Sequence, residues 1–169
     1  MATKLLLKNI DIFVFDFDGV MTNNQVYIDQ NGNEHVSCSR SDGLAFDVLR
    51  VLNKPAYILS TEENSVVTAR AKKLKITAIQ GCNDKVIALK NLAKLDKLDL
   101  NRILYIGNDL NDYNAMKICG YSACPADSHE KIKKISTITL NSIGGHGVIR
   151  ELVENILDVN FLKVLYNQK

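Results

Sequence analysis

Ile10-Asp11-Ile12-Phe13-Val14-Phe15-Asp16-Phe17-Asp18-Gly19-Val20-Met21-Thr22 is the stretch that decides the fold. Ile10–Phe15 reads as a buried strand, so Asp16 and Asp18 stand at its carboxyl end, where open α/β sheets place their ligand crevices. Spaced i, i+2, the two carboxylates reach one side only if the backbone turns, and Gly19 permits that turn. Like charges so close repel unless a cation or a shared proton relieves them. Mg²⁺ suits such donors, because it takes one or two carboxylates and completes its octahedron with waters and phosphate oxygens. Alone, Asp-x-Asp-Gly also reads as a polar turn capping a strand.

Outward from that stretch, strand and helix patterns alternate. Leu44–Leu52, Val66–Leu74, Val86–Leu95 and Asn114–Ile118 read as helices, and Ala56–Leu59, Ala78–Gln80, Ile103–Ile106 and Tyr121–Ala123 as strands. The alternation implies an α/β fold, a parallel sheet covered by helices. Ser60 ends one strand, Lys85 opens a helix, and Gly107-Asn108-Asp109-Leu110-Asn111-Asp112 follows another strand. Asp112 suits an acceptor behind metal ligands or a helix N-terminal residue, since carboxylates favour that end of the helix dipole. About twenty residues separate Thr22 from the helix near Gly43, room for a hairpin and little else. Val26-Tyr27-Ile28 and Glu34-His35-Val36-Ser37 flank Asp29-Gln30-Asn31-Gly32, whose Asn-Gly is a tight-turn signal.

The 169 residues, 46% of them hydrophobic, suit one domain with a sizeable core. The expected division is a single domain over 1–169, with a flap at about 23–40 and a C-terminal tail at about 141–169. A net charge of +2 without a Lys/Arg block argues against nucleic acid and anionic membrane as partners. No apolar stretch approaches the length of a membrane span, and Met1–Asn9 is too short for a signal peptide, so a cytoplasmic location is expected. Cys38, Cys82, Cys119 and Cys124 show no zinc spacing and read as free thiols.

The string of apolar strand, Asp-x-Asp-Gly-Val-x-Thr resembles the first motif of the haloacid dehalogenase-like (HAD) phosphotransferases. The resemblance, spanning roughly Ile10–Ala123, implies a three-layer Rossmann-like fold and Mg²⁺ as cofactor. It implies that Asp16 is a nucleophile forming an aspartyl-phosphate and Asp18 a general acid/base, whose pKa then lies nearer neutrality than that of Asp16. Ser60 matches the residue that hydrogen-bonds a phosphate oxygen, and Lys85 the cation that neutralises the nucleophile and the transferring group. Asp109 matches the acid that completes the metal shell with Asp16 and Asp18. Relatives often have Gly-Asp-Asp where this chain has Gly107-Asn108-Asp109, one negative charge fewer, so metal binding should survive in weakened form.

The flap string Val26-Tyr27-Ile28-Asp29-x-x-Gly32-x-Glu34, then Ser41-Asp42-Gly43 and Gly144-Gly145-x-Gly147-Val148-x-Arg150-Glu151, narrow the resemblance. It becomes one to the capless 3-deoxy-D-manno-octulosonate 8-phosphate phosphatases and their nine-carbon sialic-acid relatives. Such proteins are typically homotetramers whose flaps pack together and whose tails enter adjacent active sites. Here that tail is Gly144–Gly147 with Asn160–Lys169, although the glycines also read as a flexible turn before the helix Val148–Ile156. Octulosonate phosphatases usually read Thr-Gly-Arg after the second strand, whereas this chain reads Ser60-Thr61-Glu62-Glu63-Asn64, which reverses the sign of a substrate contact. Arg70 and Lys73 share a helical face one to two turns on, and with Glu62 they are candidates to hold a substrate carboxylate and sugar hydroxyls. They also read as solvated helix charges. Thr61, Ser41 and Asp42 join them as candidate substrate contacts, with Asn108 and Asp112 behind the metal ligands. Ser-Thr-Glu with the Val67–Leu74 string looks like the nine-carbon branch. The leading expectation is therefore a phosphatase for an acidic nine-carbon 2-keto-3-deoxy sugar 9-phosphate. Octulosonate 8-phosphate hydrolysis is the first alternative, and a weakly active assembly domain related to sialic-acid cytidylyltransferases the second.

Overall fold

A computed structural model describes residues 5–167. In chain order, β1 (Ile12–Phe15) leads into a small antiparallel hairpin of β2 (Tyr27–Ile28) and β3 (Glu34–His35), then α1 (Ser41–Val51) and β4 (Ala56–Leu59). There follow α2 (Val66–Leu74), β5 (Thr77–Ile79), α3 (Lys85–Leu95), β6 (Ile103–Ile106), α4 (Tyr113–Ile118) and β7 (Tyr121–Cys124). The chain ends in α5 (Glu130–Ile135), β8 (Ile138–Thr139), α6 (Val148–Glu151), which runs on through one π turn over Leu152–Ile156, and α7 (Phe161–Tyr166).

The main sheet has six parallel strands in the order β5-β4-β1-β6-β7-β8. Every residue of β1 is buried, because helices cover both faces. Phe13 and Phe15 point into a core shared with Phe46 and Leu49 of α1, Val67 and Ala71 of α2 and Ile149 of α6. Ile12 and Val14 point into a second core with Leu89 and Leu92 of α3, Met116 of α4 and Ile132 of α5. A strand buried on both faces needs apolar residues at successive positions rather than at alternate ones, which is the pattern of Ile12–Phe15. The α/β sheet with helices on both faces and a hairpin in place of a cap is thus the observed architecture.

Predicted elements agree with the observed ones to within a few residues at their ends, and Val66–Leu74 and Ile103–Ile106 match at both. Three elements were not anticipated. β8 has only two residues, α5 keeps a single buried side chain, Ile132, and α7 lies in the segment expected to be a tail. Gly145 N–H donates to Val20 O at 3.1 Å, and α7 packs back on the chain's own core through the buried Phe161, with the Arg150 guanidinium 4.4 Å above its ring. An amphipathic segment with a core-facing aromatic gains more by docking on its own chain than by staying extended. Gln168 and Lys169 of the expected tail, and Met1–Lys4, lie outside the described residues. Among those described, no helix is long and apolar enough to cross a membrane. All four cysteines are free thiols.

Candidate active site

The chain runs from β1 outward to β4 and β5, then returns to the other side of β1 as β6. The sheet's winding reverses between β1 and β6, and such a switch point opens a crevice beyond the carboxyl ends of the strands. Phe15 pairs with Ile106 at those ends, and the Asp16 N–H donates to Ile106 O at 2.8 Å. The two acidic loops, Asp16–Thr22 and Gly107–Asp112, nowhere closer than 85 positions in the chain, therefore begin side by side. Asp16, Asp18, Ser60, Thr61, Asn108 and Asp109 all line one pocket of about 270 Å³.

Behind the pocket lies a buried ionic group. The Lys85 ammonium, 1% exposed, stands 2.8 Å from Asp16 Oδ1 and 2.7 Å from Asp112 Oδ1. Lys85 is the first residue of α3, whose N-cap Asp84 accepts from Val86 N and Ile87 N, so the cap sets the direction in which the lysine leaves the helix. Asp112 Oδ1 also accepts the Tyr105 hydroxyl at 2.8 Å, and its Oδ2 accepts Asn108 N at 2.9 Å. Burial alone would lower the pKa of Lys85, but the two carboxylates outweigh it and hold the ammonium charged. The same burial, with the Asp112 carboxylate, pushes Asp16 well above the usual carboxylate range against the pull of Lys85. Two carboxylates sharing one ammonium leave a net negative charge in a dry place, which a divalent cation at the pocket would relieve.

Asp18 is less enclosed. Burial, then the Glu62 carboxylate and more weakly Glu34, raise its pKa, while the Thr22 hydroxyl and Lys85 pull it down. A raised carboxyl is what proton transfer near neutrality requires. Both carboxyls are thus raised, Asp16 chiefly by its deeper burial and Asp18 by burial and the Glu62 carboxylate.

The two loops touch closely enough to restrict their residues. Gly19 has φ +77°, and a Cβ there would come within 1.9 Å of Asn108 Nδ2. A Cβ on Gly107 would lie 2.6 Å from Asp112 Cβ, so glycine is what lets Asp112 fold back under the strand end. Asp109 and Asp112 form a reciprocal capping box around the turn Leu110–Asp112.

The donors fit Mg²⁺, though not as a finished cage. Among the described residues no three acidic, His or Cys side chains are gathered closely enough to hold one ion. Asp16 Oδ1 is drawn to Lys85, Asp18 Oδ1 accepts from Thr22 at 3.4 Å, and Asp109 Oδ1 accepts from Leu110 N at 2.7 Å. The expected three-carboxylate set of Asp16, Asp18 and Asp109 is thus present around one pocket without being preassembled. Mg²⁺ tolerates this, since waters and substrate oxygens supply most of its shell. Asn108 Oδ1, a hard oxygen in the pocket wall, is buried with no hydrogen-bond partner, as expected where a ligand or its water completes the site.

The remaining candidates are placed elsewhere. Asp42 is buried away from the pocket, and its Oδ1 accepts Arg150 N at 2.9 Å, capping α6. The free N–H groups of that helix end explain why a carboxylate settles there. Ser41 Oγ is paired with Ser39 Oγ at 2.7 Å. Arg70 donates to Ser39 O at 2.7 Å, and Arg70 and Lys73 line a groove of about 620 Å³ beneath the flap rather than the nucleophile's pocket. Glu62 lines a small side pocket of about 90 Å³ with Asp18, Asn24 and Glu34. Glu34, Val36 and Val66 line both this side pocket and the large groove, so the two are neighbours. Sequence reasoning missed Tyr105 and Asn24. A tyrosine inside an otherwise aliphatic strand is a signal, because a buried hydroxyl needs a partner.

A carboxylate pair at the switch point of a doubly wound parallel sheet, backed by a buried lysine, defines the class. The chain belongs to the haloacid dehalogenase-like hydrolases, whose profile matches residues 50–152. Among solved structures it resembles a HAD family hydrolase of Streptomyces avermitilis, with TM-score 0.92 and 37% identity over 95% of this chain and 92% of that one. It also resembles the 3-deoxy-D-manno-octulosonate 8-phosphate phosphatase of Moraxella catarrhalis, solved in complex with a magnesium ion, a phosphate ion and a KDO molecule (TM-score 0.85, 32% identity, 89% and 87% coverage). Among characterised proteins it is 27% identical to the 3-deoxy-D-manno-octulosonate 8-phosphate phosphatase of Salmonella typhi, over 93% of this chain and 85% of that protein.

Proposed function

We propose that the chain is a Mg²⁺-dependent phosphomonoesterase acting on an acidic 2-keto-3-deoxy sugar phosphate, and that 3-deoxy-D-manno-octulosonate 8-phosphate is its substrate. The carrying observation is the Asp16 carboxylate held beside the buried Lys85 ammonium, in one pocket with Asp18, Ser60 and Asp109. The octulosonate choice rests on the relatives and moves ahead of the nine-carbon sugar expected from the sequence.

In this reading the phosphate enters against Ser60 and Lys85, and a carboxylate oxygen of Asp16 attacks phosphorus in line. The bond from phosphorus to the sugar oxygen breaks as Asp18 gives that oxygen its proton. Asp18 then takes a proton from water, whose oxygen attacks phosphorus and releases Asp16. Asp16, Asp18 and Asp109 would hold Mg²⁺, which supplies positive charge against the phosphate oxygens. Lys85 adds a preorganised cation from the buried side and costs no solvent reorganisation during reaction. Asp16→Asn is expected to abolish turnover, and full activity in that variant would overturn the mechanism.

The nine-carbon sugar 9-phosphate stays as a second reading on one observation. Glu62, standing where octulosonate phosphatases usually place arginine, shares a side pocket with Asp18, and that pocket neighbours the Arg70 and Lys73 groove. Comparing kcat/KM for octulosonate 8-phosphate and for nine-carbon 9-phosphates decides between them. Mg²⁺-dependent release of phosphate from p-nitrophenyl phosphate separates both from an inactive assembly domain. The cytoplasm suits a chain with four free thiols. A homotetramer assembled through the flaps is supported by the exposure of Val26, Tyr27 and Ile28 at 52%, 59% and 65%.

A further inference from the structure

We propose that Asp42 positions the reaction's acid/base group: by capping α6 it seats the Gly144–Gly147 segment on the loop that carries Asp18. The inference rests on the reading of Asp18 as the proton carrier.

The chain of contacts is continuous. Asp42, 1% exposed in the first turn of α1, accepts the Arg150 N–H at 2.9 Å from a residue 108 positions away. The N-cap residue of α6 is Gly147, which has no side chain to satisfy the helix's first N–H groups, so the cap is supplied by another element. Immediately before Gly147, the backbone lies flat on the first acidic loop. Gly145 N–H donates to Val20 O at 3.1 Å, a Cβ on Gly144 would lie 2.3 Å from Gly19 O, and one on Gly145 would lie 2.5 Å from Asn23 N. At its other end the segment is held by Asp127, which accepts Gly144 N at 3.0 Å, and by Glu151, which accepts Asn141 N and Ser142 N at 2.9 and 2.7 Å. Beneath it, Thr22 Oγ accepts Gly19 N at 3.2 Å and Asn24 N at 3.1 Å, and donates to Asp18 Oδ1 at 3.4 Å. The helix end, the glycine strap, the loop and the Asp18 carboxylate thus form one packed series. The phosphate contacts of Ser60 and Lys85 come from β4 and α3 and lie outside it.

That separation gives the test its signature. A misplaced acid harms departure of a sugar alkoxide, which needs a proton, more than departure of p-nitrophenolate, which leaves without one. The full-length chain with Mg²⁺ is assayed on p-nitrophenyl phosphate and on the best sugar phosphate of the substrate panel, with inorganic phosphate as competitive inhibitor. Asp42→Ala is expected to lower kcat/KM, which covers the steps through departure of the alcohol and not the later hydrolysis that Asp18 also serves, by at least about tenfold more on the sugar phosphate than on p-nitrophenyl phosphate, since small misplacements of a catalytic group cost factors of that order. Inhibition by phosphate should stay within about twofold of wild type, because Ser60 and Lys85 are untouched. Asp42→Asn, which keeps an acceptor oxygen, should recover most of the loss. Gly145→Ala should reproduce the defect, and the double variant should be no worse than the worse single one, as expected for one shared path. Equal losses of kcat/KM on both substrates, or a changed phosphate inhibition, would assign Asp42 a merely structural role and overturn the proposal. If Asp42→Ala does not fold, a wild-type substrate ratio in Gly145→Ala overturns it equally. Asp18→Asn is run beside them: activity retained there would sink the acid/base reading itself, whereas an inactive Asp18→Asn with normal Asp42 and Gly145 variants would sink only the positioning.

Discussion

Asp112 accepts from Lys85, Tyr105 and the backbone of Asn108 while fully enclosed, which makes it the most heavily used acceptor of the site. Removing it leaves the Lys85 ammonium with Asp16 as its one carboxylate partner and strands a buried phenol and a backbone N–H. Asp112→Ala should therefore cost about 3–5 kcal/mol in urea unfolding, the usual cost of breaking a buried ion pair, and a loss under about 1 kcal/mol would show the group to be hydrated. Lys85→Met should lower kcat by about 10²–10³, the scale of a lost preorganised charge, with phosphate binding weakened alongside. At this scale the sequence was informative where chemistry coincides with a strand end. Asp16, Asp18, Ser60 and Asp109 could be gathered into one pocket from their strand ends together with the family motifs that they match. What it could not display is that Lys85 also meets Asp112, because that pairing spans 27 residues and passes through a helix and a crossover. Nor could it display the partner of Asp42, expected as a substrate contact, which is the backbone of a helix much later in the chain.

Among the elements, α6 depends most on a neighbour. Burial raises the Asp42 carboxyl to about 6, against the backbone N–H groups of Arg150 and Ile149 and the Arg70 and Arg150 guanidiniums, with the Cys38 thiol also nearby. A carboxyl raised on folding binds its proton more tightly in the native state, so its contribution is full below about pH 3.8 and is lost as pH rises through about 6. Asp42→Asn removes that titration. The melting temperature of wild type minus that of Asp42→Asn should thus be more favourable to wild type at pH 5 than at pH 7.5, and a difference flat across this range would count against it. Helix and strand were legible where periodicity is long and both faces of the sheet are covered, as in Val66–Leu74 and Ile103–Ile106. They were illegible in β8, two residues whose place is set by its pairing with β7, and in α5, where Ile132 alone marks the buried side.

The molecule as a whole puts Asp16 and Asp18 where the winding of the sheet reverses and leaves the apolar residues Val26, Tyr27 and Ile28 of the hairpin in solvent. If the hairpin is a contact between copies, Ile28→Asp should reduce the mass measured by light scattering while leaving the melting temperature of the isolated chain close to wild type. No change in mass would place the contact elsewhere. Because the described residues form no closed cage of side chains, the metal is expected to leave the stability of the fold unchanged. Chelation with EDTA should abolish phosphatase activity, leave the melting temperature almost unchanged, and be reversed by Mg²⁺, whereas unfolding on chelation would contradict this. The burial of Lys85 also has a consequence for covalent labelling. Amine-acylating reagents will reach exposed lysines such as Lys72 and Lys90 at once, but Lys85, charged and shut behind Asp16 and Asp112, will react only when that part of the chain opens. The mass increment at Lys85 is then a clock for the opening of the site, readable by peptide mass spectrometry without substrate, metal or any change in the sequence.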